Sequence, residues 1–172
     1  IEGAREDRLY GRELAPKIRR AKAAWAAGQL DAAITQYAEC AALAARQGLD
    51  AAAVELGYVR GSILLQAQRF SEAAADFRAV AQRYPDHAKA ADAHLLAAYC
   101  LGRLYETSKA AEHREAYQTA LEQHRERFPK STTFGDATWM LAVYQERRLQ
   151  YTLALPLYAE VPADHPRRAE AE

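Results

Sequence analysis

The side chains best suited to metal binding or nucleophilic catalysis are five histidines and two cysteines, and they lie scattered along the 172 residues. Cys40 and Cys100 are too far apart to form a CxxC motif, and none of the histidines belongs to an HExxH motif. His87 and His94 could share a helix face, but His87 lies two residues after a break at Pro85, which makes them poor co-ligands. We therefore interpret the histidines as surface or interhelical hydrogen-bonding groups and the cysteines as buried hydrophobic side chains.

Motifs of catalysis and nucleotide binding are missing from the sequence. It contains no GxSxG, P-loop or dinucleotide-binding fingerprint. Neighbouring charges such as Glu13 and Lys17 have the spacing of ion pairs on a helix surface, and no nucleophile has a plausible base beside it. We therefore predict that the chain is not an enzyme and holds neither a metal ion nor a cofactor.

Charge and hydropathy disfavour two classes of partner. The 23 basic and 23 acidic residues cancel, so we expect no nucleic acid or anionic membrane as partner. No apolar run approaches the roughly 20 residues that span a bilayer. The chain begins at Ile1 and ends in a segment, residues 169–172, whose pattern would start another helix. We expect a piece of a longer protein, which leaves the compartment open.

Helix-forming residues dominate the composition. Roughly a quarter of the residues are alanine, whereas glycine and proline number only 8 and 6. No stretch alternates apolar and polar residues for long enough to indicate a strand. The sequence therefore predicts an all-α fold.

Proline breaks at Pro85, Pro129 and Pro166 recur at similar intervals and indicate a helical repeat. We predict a lead-in segment at residues 1–13, closed by Gly11, with Pro16 in the first turn of the following helix. About four helix pairs follow, at residues 14–48, 50–87, 88–130 and 133–168.

Polar residues near the predicted helix starts are assigned as N-caps. The second helix of the third pair, ending at Phe128, is predicted to be longer than its counterparts by about two to three turns. Such an extension indicates either a specialised surface or a tolerated lengthening of an exposed helix end. The N-cap assignments are Asp31, Asp50, Ser71, Thr107 or Ser108, and Thr133 with Asp136 as a capping box.

Small residues recur where two helices of a pair would cross, each followed by an aromatic residue four positions later. Small side chains at a crossing let antiparallel helices pack closely. The third pair departs from the pattern, because Tyr117 and Leu121 stand opposite Ala98 where an alanine and an aromatic are expected. The matching sets are Ala21 with Ala33 and Tyr37, Gly61 with Ala73 and Phe77, and Ala142 with Ala154 and Tyr158.

This arrangement resembles the tetratricopeptide repeat family over about residues 14–168. The resemblance implies a right-handed superhelical stack of antiparallel helix pairs, an α-solenoid. The segment from Phe77 to Tyr99 is similar to a subtype found in bacterial BamD-like outer-membrane assembly lipoproteins and Tol-Pal-associated periplasmic repeat proteins. That similarity implies a bacterial source and favours the periplasm or cell envelope over the cytoplasm.

In a superhelical stack the first helix of each pair lines the concave side, where such folds usually take ligands. Each pair offers an aromatic residue among polar groups there, and we expect Trp25, Tyr58, Tyr99 and Trp139 to be partly exposed. Alternatively these aromatics pack between repeats, since a shift of one residue in register would bury Trp139. The inward positions are Lys22, Trp25, Glu55, Tyr58, Ser62, Gln66, Asp92, Tyr99, Arg103, Asp136, Trp139, Val143 and Arg147.

The sequence thus predicts a non-catalytic scaffold or adaptor that binds a peptide or a partner protein along its concave face. The lysine and asparagine set with which similar chaperone-binding repeats clamp a terminal carboxylate is not matched. Two alternatives remain: a self-assembling structural module, which would make the protein a homo-oligomer, and a docking or regulatory arm of a larger enzyme.

Overall fold

The computed structural model describes the backbone of residues 2–170 and the side chains of residues 7–170, and it confirms the all-α prediction. Within residues 2–170 the secondary structure is helical, with no strand. The helices are α1 (Glu2–Ala26), α2 (Leu30–Arg46), α3 (Asp50–Gln66), α4 (Phe70–Arg83), α5 (Ala90–Ser108), α6 (Ala111–Arg127), α7 (Phe134–Arg147), α8 (Tyr151–Glu160) and a short 3₁₀ helix (Arg168–Glu170).

The chain divides into two compact units, Ile1–Ala90 and Ala91–Glu172. In the first unit α1 packs on α2, α2 on α3, and α3 on α4. In the second unit α6 packs on α7 and α7 on α8, while the buried face of α5 joins α6 and α7 in a common core. Within each unit, consecutive helices therefore contact each other, as expected for a helical repeat. The right-handed superhelical arrangement stays a prediction.

A kink divides α1 at the predicted position. Gly11 has φ 75° and ψ 170°, a backbone conformation that side-chain-bearing residues rarely adopt. The kink falls at Gly11, the residue predicted to close the lead-in segment. Pro16 lies five residues beyond the kink, just past the first turn of the helix that follows it, so its placement in the first turn was wrong by about one residue.

Four tight turns share one geometry, the Schellman motif, in which a residue with positive φ ends a helix. In the first, the Gly28 N–H donates to the carbonyl of Trp25 and the Gln29 N–H donates to the carbonyl of Ala24. Equivalent pairs of hydrogen bonds close α2, α3 and α7. The residues with positive φ are Gly28, Gly48, Gln68 and Leu149.

Three of the predicted N-caps, Asp31, Asp50 and Ser71, are wrong, because these tight turns leave a different residue at the cap. Thr133 does occupy the N-cap position of α7, but its side chain makes no capping hydrogen bond. The cap of α2 is Gln29, so Asp31 falls in the first helical turn and pairs instead with Arg69 at 2.6 Å. Asp50 and Ser71 likewise lie inside the first turns of α3 and α4. A carboxylate in a first turn still interacts favourably with the positive end of the helix dipole.

The prediction that the second helix of the third pair is extended is also wrong. α5 continues through Thr107, whose hydroxyl donates to the carbonyls of Arg103 and Leu104 within the helix rather than capping α6. α5 ends only before Lys109, which has φ 55°. As a result α6 has 17 residues, the same length as α2, and the additional chain belongs to α5 with 19 residues.

A second kind of turn follows α4, α6 and α8. After α4, the His87 N–H donates to the carbonyl of Tyr84 and the Ala90 N–H donates to the carbonyl of His87. The turns after α6 and α8 have the same two hydrogen bonds, with Ser131 and His165 at the position of His87. His87 and His165 also accept a backbone N–H through Nδ1, whereas the Ser131 hydroxyl donates to the carbonyl of Phe128.

This turn corrects the alignment of the proline breaks. Pro85 and Pro129 each precede the central residue of the turn by two positions, and the equivalent position in the third turn is Ala163. Pro166 lies three residues later, immediately after His165. The match at Pro166 was therefore a coincidence of residue type rather than of backbone geometry.

Small residues lie at the helix crossings as predicted, and glycine allows the closest approach. A Cβ atom on Gly61 would lie 2.9 Å from the ring of Phe77. In the third pair the close approach shifts by one turn, and a Cβ on Gly102 would lie 3.0 Å from the ring of Tyr117. The third pair thus accommodates its large Tyr117 by pairing it with glycine. The predicted contact alanines are all buried: Ala21, Ala33, Ala73, Ala142 and Ala154.

We predict that Gly61→Ala destabilises the protein by about 1 to 3 kcal/mol, because the added methyl overlaps the fully buried Phe77 ring. In a Phe77→Leu background the same substitution should cost much less. Urea denaturation of the two single variants and the double variant measures this coupling. Equal costs in both backgrounds would contradict the assigned contact.

Candidate binding cleft in the second unit

A cleft of about 560 Å³ lies between α5 and α7 in the second unit. One wall is formed by Tyr99 and Arg103 of α5, and the other by Asp136, Trp139 and Arg147 of α7. The structure therefore brings together five of the predicted inward residues of the third and fourth pairs. Val143, the sixth, lines the floor with them.

Helix periodicity explains why these residues face the same space. Positions 99, 103 and 106 recur at three- and four-residue intervals along one face of α5, as do positions 136, 139, 143 and 147 along α7. The other faces of both helices are held by a core that contains Ala98, Leu121, Ala137, Leu141 and Tyr144. Burial of these apolar faces fixes the rotation of each helix and turns the polar stripes into the cleft.

Trp139 lines the cleft but is not exposed as predicted, since only 8% of its surface reaches solvent. Its ring makes an edge contact with Tyr158, with ring centroids 5.3 Å apart, and the Arg167 guanidinium lies 5.7 Å from the ring centroid. Both covering residues lie far from Trp139 in sequence. Tyr99 is 39% exposed, in agreement with the prediction.

Three tyrosines close one end of the cleft. Tyr144 makes edge contacts with Tyr105 and Tyr117, at centroid distances of 6.5 and 5.5 Å, and its hydroxyl donates to Gln118. Burial, aided by the nearby Glu106, raises the pKa of Tyr117 to about 12. The Tyr117 phenol therefore stays neutral at physiological pH.

The lining residues carry an excess of positive charge. Two acidic residues, Glu106 and Asp136, face five basic ones. Since the whole chain is neutral, this excess is a local property of the cleft. The basic residues are Arg103, Lys109, Arg147, Arg148 and Arg167.

Both cleft carboxylates already have partners. Glu106 lies between Arg103 and Arg147, at 3.4 and 3.7 Å. Asp136 accepts a hydrogen bond from His165 Nε2 at 3.2 Å. Because His165 Nδ1 accepts the Arg167 N–H, its proton lies on Nε2, which orients the donor toward Asp136. Asp136 thus anchors the turn after α8 instead of forming the predicted capping box.

Three cations lie over aromatic rings at the cleft wall. Besides Arg167 over Trp139, the Lys109 ammonium lies 5.6 Å from the centroid of Tyr105 and the Arg148 guanidinium lies 5.5 Å from that of Tyr144. Arg148 also donates to the Tyr144 hydroxyl at 3.2 Å. These contacts hold the positive groups in place beside the aromatic surface.

The remaining predicted residue of the second unit does not belong to this cleft. Asp92 is exposed in the first turn of α5 and does not line it.

In the first unit the predicted residues have separate surroundings. Glu55 pairs with Lys89 at 3.1 Å, and the Lys89 ammonium lies 4.5 Å from the centroid of the Tyr58 ring. The Ser62 hydroxyl donates to the carbonyl of Tyr58 within α3. Trp25 is 38% exposed on α1, one turn from the exposed Lys22, and Gln66 is exposed at the end of α3.

Several residues that line the cleft were not predicted from the sequence. Glu106 continues the α5 stripe by one turn, so the helical spacing could have found it. Tyr117 belongs to a second helix and Arg167 to the turn after α8, and no periodic signal connects either residue with α5 or α7. The others missed are Gly102, Tyr105, Lys109, Met140, Tyr144 and Arg148.

Comparison with known proteins adds no assignment: no protein-family model matches the chain, and no curated protein sequence is significantly similar to it. Within the described residues, no group of three or more His, Cys, Asp or Glu side chains has a geometry that could hold a metal ion. No helix in residues 2–170 is both long and apolar enough to cross a bilayer.

The predicted roles of the histidines and cysteines fit their surroundings. Cys40 and Cys100 are free and fully buried, and burial raises the pKa of both thiols, that of Cys100 to about 11. His124 is fully buried and shares a 3.0 Å hydrogen bond with Thr133. Its ring lies 5.3 Å from that of the buried His94.

Burial lowers the pKa of His124 to about 4, with a smaller contribution from His94 in the same direction and an opposing one from Asp136. In the unfolded chain the pKa of a histidine is about 6.5. Between these values the unfolded state binds more protons than the folded state, so the free energy of unfolding decreases as pH falls from about 6.5 to about 4.

We predict that the free energy of unfolding falls by on the order of 2 to 3 kcal/mol between about pH 6.5 and about pH 4 because His124 is buried. His124→Gln should remove this decrease, because glutamine can still hydrogen-bond Thr133 but does not titrate. Urea denaturation across this pH range measures it. His113→Gln, at the surface of α6, is the matched control and should keep the wild-type pH dependence. A parallel pH dependence in the wild type and the His124 variant would contradict the prediction.

Proposed function

We propose that the chain is a non-catalytic scaffold that binds a segment of a partner protein, and that the cleft between α5 and α7 is a binding site. The single observation that carries the proposal is the convergence on this cleft of Tyr99, Arg103, Trp139 and Arg147. The helical register, combined with the resemblance to a superhelical repeat, had predicted these residues to face inward. The exposed ring of Tyr99 supplies contact area at little entropic cost, and arginine supplies forked hydrogen bonds; tyrosine and arginine are both enriched in protein-binding hot spots.

The size of the cleft suits a few side chains of an extended segment or of one helix face. A volume of about 560 Å³ lies within the range of small-ligand pockets, and the cleft is open along the two helices. Most of the lining residues lie on helices, which would hold the contact groups in place before binding.

We further propose that the helix pairs form a tetratricopeptide-like repeat array. Support comes from the recurring Schellman turns, from the second turn type centred on His87, Ser131 and His165, and from small residues at the helix crossings. The bacterial cell-envelope setting belongs to the same proposal and rests on the sequence resemblance alone.

Selection from a random peptide display library tests the binding function, with cleft occupancy read from Trp139. The chain has two tryptophans, so Trp25→Phe leaves Trp139 as the sole indole reporter. We expect selected peptides to change its fluorescence saturably, because a ligand in the cleft alters the contacts of Arg167 and Tyr158 with the indole ring.

Val143→Phe should fill the cleft floor and weaken peptide binding at least about tenfold. Thr119→Phe on the exposed side of α6 makes a similar change outside the cleft and should bind as the wild type does. Binders that neither perturb Trp139 nor respond to Val143→Phe, or a library that yields no binder, would contradict the proposed site.

Self-association through α8 is a second candidate function, and the composition of that helix favours it. α8 buries Ala154 but leaves Tyr151, Leu153 and Leu155 exposed by 54%, 52% and 68%. Its one charged residue, Glu160, pairs with Arg125. A helix that is apolar on all sides is normally covered, and an uncharged surface of this kind is self-complementary to a second copy.

Leu155→Glu should then shift the protein toward monomer in sedimentation equilibrium, because a carboxylate would be desolvated in the contact. Leu9→Glu replaces a comparably exposed leucine of α1 and serves as the matched control. A wild-type protein that stays monomeric at high concentration would eliminate this candidate.

A further inference from the structure

We propose that the cleft between α5 and α7 recognises an acidic segment of its partner, binding internal Asp or Glu side chains rather than a chain terminus. This inference rests on the proposed binding function and specifies the chemistry of the ligand. It assigns the carboxylates of the segment to the arginines of the cleft and its apolar side chains to the exposed ring of Tyr99 and to Val143.

The first argument is the local charge. Five cations and two carboxylates line the cleft of a chain whose total formal charge is zero. One of the two carboxylates, Asp136, is turned toward His165. An acidic segment would therefore enter a field of opposite sign, whereas a basic segment would be repelled.

The second argument is the position of Glu106, which shows that two arginines from different helices can converge on one carboxylate. Arg103 of α5 and Arg147 of α7 approach it at 3.4 and 3.7 Å. Both distances exceed the roughly 2.7–2.9 Å of a charge-assisted hydrogen bond. The Arg147 side chain is 72% exposed and thus accessible to a carboxylate from another chain.

The third argument is preorganisation of the cations. Arg148 and Arg167 are held over the rings of Tyr144 and Trp139, and Lys109 is held over Tyr105. Long side chains that are already ordered lose less entropy when a ligand binds. A planar guanidinium stacked on a ring still presents its edge N–H groups to a carboxylate.

Single-stranded nucleic acid also binds basic, aromatic clefts, but the geometry here favours a peptide. Bases need open ring faces for stacking. Trp139 and Tyr144 are 8% and 5% exposed, and a guanidinium lies over each ring. In addition, Glu106 and Asp136 within the lining would repel a continuous phosphate backbone.

The test uses short peptides blocked at both ends, in which glutamates alternate with leucines, and matched peptides with glutamine or lysine in place of glutamate. Binding is measured by the fluorescence of Trp139 in the Trp25→Phe protein and by calorimetry. We expect the glutamate peptide to bind at least about tenfold more tightly than the glutamine peptide, to weaken with added salt, and to outcompete the lysine peptide.

Single substitutions identify which cleft residues bind the glutamate side chains of the peptide. Arg147→Gln should weaken the glutamate peptide about fivefold to tenfold, because it removes one charge-assisted contact. Glu106→Gln should strengthen binding severalfold, because it removes the internal competitor for Arg103 and Arg147. Lys130→Gln, an equal charge change at an exposed residue outside the lining, is the matched control and should leave the affinity within about twofold.

Each other outcome overturns the inference in a distinguishable way. Equal affinity for the glutamine or lysine peptide, or binding that requires a free C-terminus, would reject acidic side-chain recognition while leaving the binding function in place. Tighter binding of oligo(dT) or of single-stranded RNA than of any peptide would replace the peptide by a nucleic acid. Failure of these peptides and of all library-selected peptides to perturb Trp139 would reject the binding function as well.

Discussion

Close approach of neighbouring helices through residues with little or no side chain is the constraint on which the structure depends. Gly61 lies against the ring of Phe77, and Gly102 lies against that of Tyr117. A Cβ atom at these positions would lie 2.9 and 3.0 Å from the rings, so an added methyl group would force its neighbour to shift. Such contacts set the spacing within a pair, and the buried apolar stripes set the rotation of each helix. The cleft of the second unit is a consequence, because the rotation that buries Ala98 and Leu141 turns other faces of α5 and α7 outward.

Two kinds of turn recur along the chain and bring successive helices close enough for these contacts. The Schellman turns reverse the chain within a few residues, so that α2, α3, α4 and α8 each lie against the helix before them. The second turn type contributes to the cleft directly. Its third copy is held by the His165–Asp136 hydrogen bond, and it carries Arg167 to the face of Trp139. A structural turn thus supplies one of the cations of the candidate site.

The aromatic residues of the cleft have different roles according to how far they are buried. Tyr144 is nearly buried and organises the other tyrosines, whereas Tyr99 keeps a face open to solvent. The cations stacked on these rings shield apolar surface and keep their charge near the opening. The same combination that stabilises the wall therefore makes it a candidate recognition surface for an anionic segment.

The all-α fold, the helix pairs and the α5 and α7 stripes could be predicted from sequence, because alanine content, proline breaks and three- and four-residue spacing are local properties of the chain. Local properties could not identify the capping residues, the end of α5 or the burial of Trp139. The Thr107 hydroxyl donates to a carbonyl of its own helix, so α5 continues past the predicted cap. Trp139 is covered by Tyr158 and Arg167, which are distant from it in sequence. The sequence by itself determined which residues a helix would present on one face. Only the tertiary structure decided what covers that face. Which residues pack against it depends on where the chain reverses and how closely the helices approach, and the spacing of residues within one helix does not determine either.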